Sequence, residues 1–418
     1  MLRIASMSAL SLSREDLGSA RRELRRRRVT AFLFVAPLLV FLAFTFVAPI
    51  GSMLFRSVHN PNVADLIPET LERMDDWDGE SLPDDAVMNQ FAQDLKRLAD
   101  ERTSGRLAGE VNRIMPGASS VIQSTARRMR TMADEQLETR GAELLLETHA
   151  NWQQVTIWRA IRESGRPFTI AHYLTALDLE RTHSGVIQPR DGPRIYVKLY
   201  IQSLRIALLI TLLTFLLGYP LSYYLANAPT RISNILLIFV LLPFWTSLLV
   251  RTTSWIALLQ TNGVVNSALM SVGLTSSPFE MLYTEFATVI AMTHILLPFM
   301  ILPLYSVMKG IDPSYLRAAM SMGAKPIPAF LRIYFPMTLP GLSAGALLVF
   351  IVSVGYYITP ALVGGADGQM ISNLIAFHMQ QSNNWPLAAA LGSLLLFLIL
   401  LLYWTYDRLV GAKNISLG

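Results

Sequence analysis

Side chains that could do chemistry are few and scattered in this chain. The six histidines show no metal-ligand spacing, and His294, inside a long apolar run, reads as a packed or locally paired imidazole rather than a ligand. There is no G-x-x-x-x-G-K-[ST] loop to cradle a nucleotide phosphate and no G-x-S-x-G elbow to present a nucleophilic serine. No catalytic residue and no metal site is expected. Recognition chemistry is what is left. Trp245, Tyr356, Tyr357 and Trp385 stand in or beside apolar runs, where an aromatic face can hold a cation. Interfacial anchoring or packing is the plainer role for each.

The second unusual constellation is the stretch from Asp312 to Gly341. Asp312-Pro313 is a good helix start, an Asp cap followed by Pro where a missing N–H costs nothing. The helix runs through Leu316, Ala318, Ala319 and Met320, and Gly323 ends it. Lys325-Pro326-Ile327-Pro328 turns the chain, and a second helix is expected from about Ala329. Ala318, Ala319, Gly323 and Ala324 are small enough for another backbone to approach closely. Tyr315, Leu316, Met320 and Met322 add apolar contact. A bent apolar surface of this kind suits a protein partner, by the helix-in-groove mode, or a lipid interface; composition alone leaves the two even.

The elements that must position these residues are set by hydropathy. The chain has 418 residues, 52% hydrophobic and 16% charged, with no cysteine, which is too apolar for an ordinary soluble domain and excludes a disulfide framework. Six apolar stretches, Val29–Phe55, Ile206–Thr230, Ile232–Val250, Phe286–Met308, Ile333–Ala366 and Pro386–Tyr406, are long enough to cross a bilayer. Thr252–Phe279 is uncharged but polar, and reads as an outer loop with a partly embedded half-helix.

Charge gives sidedness. Arg14, Arg21, Arg22 and Arg25–Arg28 precede the first span, and Arg231, Lys309, Arg317, Lys325, Arg332, Arg408 and Lys413 flank later ones. Six spans with both termini in the cytoplasm put all of these on one side. The segment 57–197 holds 22 of the 30 acids and 16 Lys and Arg, and falls outside. Within it, Val87, Phe91, Leu95 and Leu98, then Met129, Met132, Leu137, Leu144, Trp152, Val155 and Trp158, space like helices broken at Pro116-Gly117. Two or three helices packed as a hairpin are expected. The organisation is thus a basic cytoplasmic arm (1–28), a first transmembrane helix (29–56), an outer helical insertion (57–197), a five-span core (198–411) containing the helix 312–324, and a cytoplasmic tail (412–418). The first apolar run is too long for a signal peptide and no A-x-A site follows it, so an uncleaved first helix is expected.

The stretch "RAAMSMGAKPIPAFLRIYFPMTLPG" (317–341) resembles the cytoplasmic coupling motif of binding-protein-dependent ABC importers, whose permeases carry Glu-Ala-Ala, three residues, Gly and a later Pro. The matching positions are Ala318, Ala319, Gly323 and Pro336, with Ala324, Phe330 and Pro340 also family-like. More widely, "FTIAHY" (168–173), "LGYPLSYYLA" (217–226), "LLPFWTSLLVR" (241–251), "HILLPFMILPLYS" (294–306) and "SNNWPLAAAL" (382–391) resemble the spermidine/putrescine permeases. This resemblance implies an all-α type I importer permease of six transmembrane helices, with a helical periplasmic insertion between the first and second. It implies a non-catalytic half of a solute pathway, most simply for a polyamine such as putrescine or spermidine, otherwise for an opine or amino-acid derivative. The implied setting is a bacterial inner membrane. The implied partners are the lipid bilayer, a second homologous permease, a periplasmic solute-binding protein, and two cytoplasmic ABC ATPases that bind ATP and Mg. No cofactor in this chain and no nucleic acid is implied. ATPase coupling would fall to Tyr315, Leu316, Arg317, Ala318, Ala319, Met320, Gly323 and Ala324, and the hinge to the fifth span to Pro326, Pro328 and Pro336.

Two departures stand out. The motif's Glu is Arg317 here, and an Asp usual four residues on is Ser321. The block of roughly 59–166 lies where the polyamine permeases have a short outer loop. Other classes fit less well. A secondary transporter or channel would need no docking helix, and a sensor receiving signals through 57–197 would need a cytoplasmic output domain where only short loops are expected.

Overall fold

The computed structural model describes residues 14–181, 186–190 and 192–410; part of the expected arm 1–28 and all of the tail 412–418 lie outside them. The chain divides into two units, Met1–Arg56 and Ser57–Gly418. In the first, α1 (Arg14–Leu42) continues through a π-helical turn (Ala43–Val47) into α2 (Ala48–Val58). The helix therefore begins well before the apolar run and merges the described part of the arm with the span. Pro49 has no N–H to give the Thr45 carbonyl and its ring crowds that carbonyl. The wide turn accommodates it, with the Ala48 N–H reaching the Ala43 oxygen.

The second unit opens with a small helical domain. The chain enters at residues 58–60 and leaves at 167–169: the Asn60 N–H donates to the Pro167 carbonyl (2.8 Å), the Thr169 N–H to that of Val58 (2.9 Å), and His59 bridges Phe168. Between them lie α3 (Pro68–Arg73), α4 (Asp85–Asp100), α5 (Ser104–Ile114), α6 (Ala118–Met129), α7 (Asp134–Thr148), a 3-10 turn (Ala150–Gln153) and α8 (Val155–Ser164). This is more than the expected hairpin. Arg102 and Gly117 both take positive φ (58° and 94°), cutting one apolar repeat into short helices that close around their own core. Phe91, Trp152 and Trp158 are fully buried, with ring centroids 5.3–5.4 Å apart. The Trp152 indole donates to Thr125 Oγ1 (2.9 Å) and that of Trp158 to the Trp152 carbonyl (3.0 Å), so neither N–H is buried unpaired.

A short link of α9 (Ala171–Ala176) and an antiparallel pair, β1 (Leu179–Arg181) with β2 (Ile187–Pro189), leads to α10 (Tyr196–Asn227). The buried Asp178 carboxylate accepts from the Tyr196 and Val197 amides (3.2 and 2.8 Å), capping α10 ten residues before the expected start at Ile206. The second span thus includes Lys198 and Arg205, and Arg205 is ion-paired to Glu285.

The remaining elements are α11 (Thr230–Trp245), α12 (Leu248–Leu259), α13 (Val264–Ser271), α14 (Glu285–Lys309), α15 (Ser314–Ser321), α16 (Pro326–Ala329), a π-helical turn (Phe330–Tyr334), α17 (Phe335–Gly355), α18 (Ile358–Val363), α19 (Ile371–Gln380) and α20 (Trp385–Val410). Five helices are long and apolar enough to cross a membrane, at residues 26–58, 196–227, 285–309, 326–355 and 385–408, and the bent pair α11 and α12–α13 makes a sixth if counted as one span. That pair turns by 98°, so the expected straight span Ile232–Val250 is broken. Thr246 and Ser247 are extended, directly after Pro243 has removed a helical N–H. The fifth span is shifted too, running 326–355 rather than 333–366. Pro326 starts it, and an extended Tyr356 ends it before α18.

At the centre α10, α14 and α17 pack on one another. α14 and α17 run antiparallel at close range: a β-carbon added at Gly341 would lie 2.8 Å from the Pro303 oxygen, and one at Gly345 3.0 Å from Met300 Sδ. Only glycine admits that approach.

Candidate functional site

The loop between α14 and α17 forms a capped, bent, exposed helix at one end of the bundle. Asp312 Oδ1 accepts the Ser314 amide (2.8 Å), and this bond holds its carboxyl below the usual carboxylate range. At the other end of α15, Gly323 has φ +92°. Its N–H donates to the Met320 carbonyl (3.0 Å) and that of Ala324 to the Ala319 carbonyl (3.1 Å). These two bonds are a Schellman cap. Lys325 is extended and Pro326 opens α16, so the chain turns at residues 322–325 and enters the fifth span.

Burial sorts the eight expected docking residues. Tyr315 and Met320 are exposed (55% and 40%), as are Arg317, Ala318 and Gly323, and Met322 beside them is 82% exposed. Ala324 is half-buried. Leu316 and Ala319 turn inward instead: Leu316 packs on the central cluster and Ala319 is 2% exposed. The small size of Ala319 therefore serves contact within the chain. Of the expected hinge residues, Pro326 and Pro328 lie exposed in the first turn of the span helix. Pro336 is ten residues further along the same continuous helix, just past its π-helical turn.

What joins this helix to the bundle is aromatic, and sequence reading did not single it out. Phe330 and Tyr334 stack at 5.5 Å, and Tyr223 of α10 meets both edge-on at 5.6 and 5.3 Å. Tyr219, one turn earlier, touches Phe330 and hydrogen-bonds Thr338 (3.1 Å). The available signal was four rings at helical spacing on two segments that flank the loop.

The expected recognition aromatics are not gathered. Among the described residues no ring contact joins Trp245, Tyr356, Tyr357 and Trp385. Trp245 is 71% exposed at the α11–α12 bend, and the Trp385 indole donates to Asn383 Oδ1 (2.8 Å). The Tyr356 and Tyr357 carbonyls accept from Ser372 and Asn373 (both 2.6 Å), which tie α19 to the end of α17. The structure instead assembles a polar group that includes only Tyr356. The Trp255 indole donates to His294 Nδ1 (3.3 Å), Thr252 bonds Thr359 (3.2 Å), and Arg251 lies within electrostatic reach of His294 and Tyr356. Arg251 lies one residue past the expected apolar run Ile232–Val250, at the end of the family-like stretch 241–251, and is the sole charge between Ile232 and Phe279.

The C-terminal half of the sequence is similar to known proteins. Residues 218–413 match the family described as binding-protein-dependent transport system inner membrane component. The spermidine/putrescine transport system permease protein PotB of Escherichia coli (strain K12) is 36% identical over 222 residues, covering 52% of this chain and 81% of that protein. The inner membrane ABC transporter permease protein YdcU of the same organism is 32% identical over 189 residues, covering 41% and 58%. Among solved structures, a bacterial alginate ABC transporter in complex with an alginate pentasaccharide-bound periplasmic protein aligns at a TM-score of 0.45 and 17% identity, covering 54% of this chain and 81% of that one. With its spans and this sequence likeness, the chain belongs to the family of binding-protein-dependent transport system inner membrane components and is a permease of an ABC importer.

Proposed function

We propose that this permease forms half of the pathway of an ATP-driven importer of polyamines such as putrescine and spermidine, and that α15 is where a separate ATPase grips it. One observation carries the docking reading: α15 is capped at both ends, exposes Tyr315, Ala318 and Met322 on one face, and is joined to a spanning helix by a four-residue turn. A push on that face travels through Leu316 and Ala319 into the Phe330–Tyr334–Tyr223 stack, and so into α10 and α17 together. Alternating access then follows from the motor's closure, with ATP and Mg held by two cytoplasmic ATPase subunits and not by this chain. A second homologous permease completes the path, and a periplasmic binding protein delivers solute to the opposite end. Both termini lie in the cytoplasm in this arrangement, and 57–197 lies outside. The polyamine assignment is drawn from the PotB likeness.

Expression with its ATPase, second permease and binding protein, followed by reconstitution in liposomes, tests this directly. The complex copurifies, and putrescine or spermidine accumulates only when ATP is supplied. Accumulation driven by an ion gradient without ATP sinks the reading.

A further inference from the structure

The fold carries Arg251 to mid-depth. It lies on α12, and contacts with α14 bracket it: before it Phe244 meets Phe299 edge to face at 5.1 Å, and after it Trp255 bonds His294. At 1.5 Å per residue, the level between His294 and Phe299 is roughly 14–21 Å from the Glu285 end of α14, near the middle of that span. There the guanidinium makes no ion pair or hydrogen bond with any described residue, and its Nε is buried.

Two hydroxyls share this condition. Thr293 of α14 is 4% exposed, Ser353 of α17 is fully buried, and neither Oγ has a partner. The antiparallel register that sets Gly345 on Met300 and Gly341 on Pro303 brings Ser353 opposite the turn containing Thr293. Three helices thus contribute unpaired polar groups to one layer. No acid in the core can reach it. Those after residue 198 are Glu280, Glu285, Asp312, Asp367 and Asp407; all lie beyond or at the ends of spans, and Glu285 is taken by Arg205.

A guanidinium cannot shed its proton, and an unpaired cation at this depth is costly. A planar anion that accepts two parallel N–H bonds is its best complement. We propose that Arg251, with the Thr293 and Ser353 hydroxyls in its layer, is a carboxylate-binding site within the membrane. The inference rests on the importer reading for its two sources of carboxylate, the solute itself or an Asp or Glu of the second permease. A polyamine has no carboxylate. A partner acid would therefore leave a neutral pair beside a cation path, whereas a solute carboxylate would make the cargo an amino-acid derivative.

The test has two parts. In the isolated, detergent-solubilised chain, Arg251→Leu melts at or above wild type, because the cation has no partner there; a clear fall in Tm overturns the proposal whatever the chain transports. In the full importer, Arg251→Gln lowers uptake of at least one of two probes, an ω-amino acid and putrescine, by tenfold or more, and Arg251→Lys recovers part of it. If the solute supplies the carboxylate, Arg251→Gln assembles normally and loses uptake of an ω-amino acid while sparing putrescine. If the partner supplies it, every solute is affected and changing the partner's acid to its amide restores uptake. Wild-type rates for both solutes in Arg251→Gln overturn the site but leave the importer standing. Absence of ATP-dependent uptake in wild type overturns the importer reading, and the melting comparison still judges the site.

Discussion

Gly323 is the residue on which the shape of the docking helix turns. Its φ of +92° is a left-handed conformation, and a β-carbon built there meets nothing within 4 Å. A side chain is thus excluded by backbone strain, not by crowding within the chain. Left-handed strain of about 1–2 kcal/mol is roughly a tenfold loss of the capped conformation. Gly323→Val is expected to cut ATP-dependent uptake by about that factor, while Gly323→Asn, which tolerates the conformation, stays within about twofold. Measuring both in the same liposomes separates lost geometry from lost glycine; equal uptake by the valine variant would remove α15 from the coupling path. This residue was legible in sequence, since a glycine past an Asp-Pro start has few other uses. Ala319 was legible only as small. Which side of α15 it faces depends on the tilt of the helix against Phe330, a long-range packing fact.

Among the elements, α9 has the clearest pH signature. It packs on α20, and Tyr173 bonds both Ser57 (2.7 Å) and Ser393 (2.9 Å). Burial, then the charge of Arg113, lower the His172 pKa to about 4, opposed by Glu110. The folded value lies below the unfolded one near 6.5, so the unfolded chain binds the extra proton between the two. Stability is therefore full above about pH 6.5 and falls as pH drops toward 4, by up to about 3 kcal/mol. Melting of the solubilised protein at pH 7 and pH 5 should show this fall, and His172→Gln should flatten it. An unchanged slope in the variant would place the titrating group elsewhere. Sequence placed the first, fourth and sixth spans to within about three residues. It misplaced the ends of others where the signal was a remote cap, as at Asp178, or a proline inside a run, as at Pro243.

For the whole molecule, the insertion is separable in principle. Its two ends meet through the Asn60–Pro167 and Thr169–Val58 hydrogen bonds, and its interior is its own cluster around Phe91, Trp152 and Trp158. A hydrogen bond reaches back to the core, from Arg113 to the Asn383 carbonyl (3.0 Å); within the insertion Arg113 is held by Glu110 (2.6 Å), which also accepts from Asn60 and Asn62. Replacing 61–166 with a short glycine-containing turn should leave a folded permease that still copurifies with its ATPase. It should also abolish the pH dependence at His172, because Arg113 and its cover are gone. Failure of the shortened chain to fold would show that the module props the core.

Membership of the membrane class, the number of spans to within one, and the capped bend at 312–326 were decided by sequence alone. Each rests on local physics: apolar length, flanking cations, and the backbone demands of Asp, Pro and Gly. The separate core of the insertion, the broken third span, the aromatic joint at Tyr223, and the depth of Arg251 were decided only by tertiary structure. Each depends on which distant helix supplies the facing surface, and hydropathy along one strand of sequence carries no record of that.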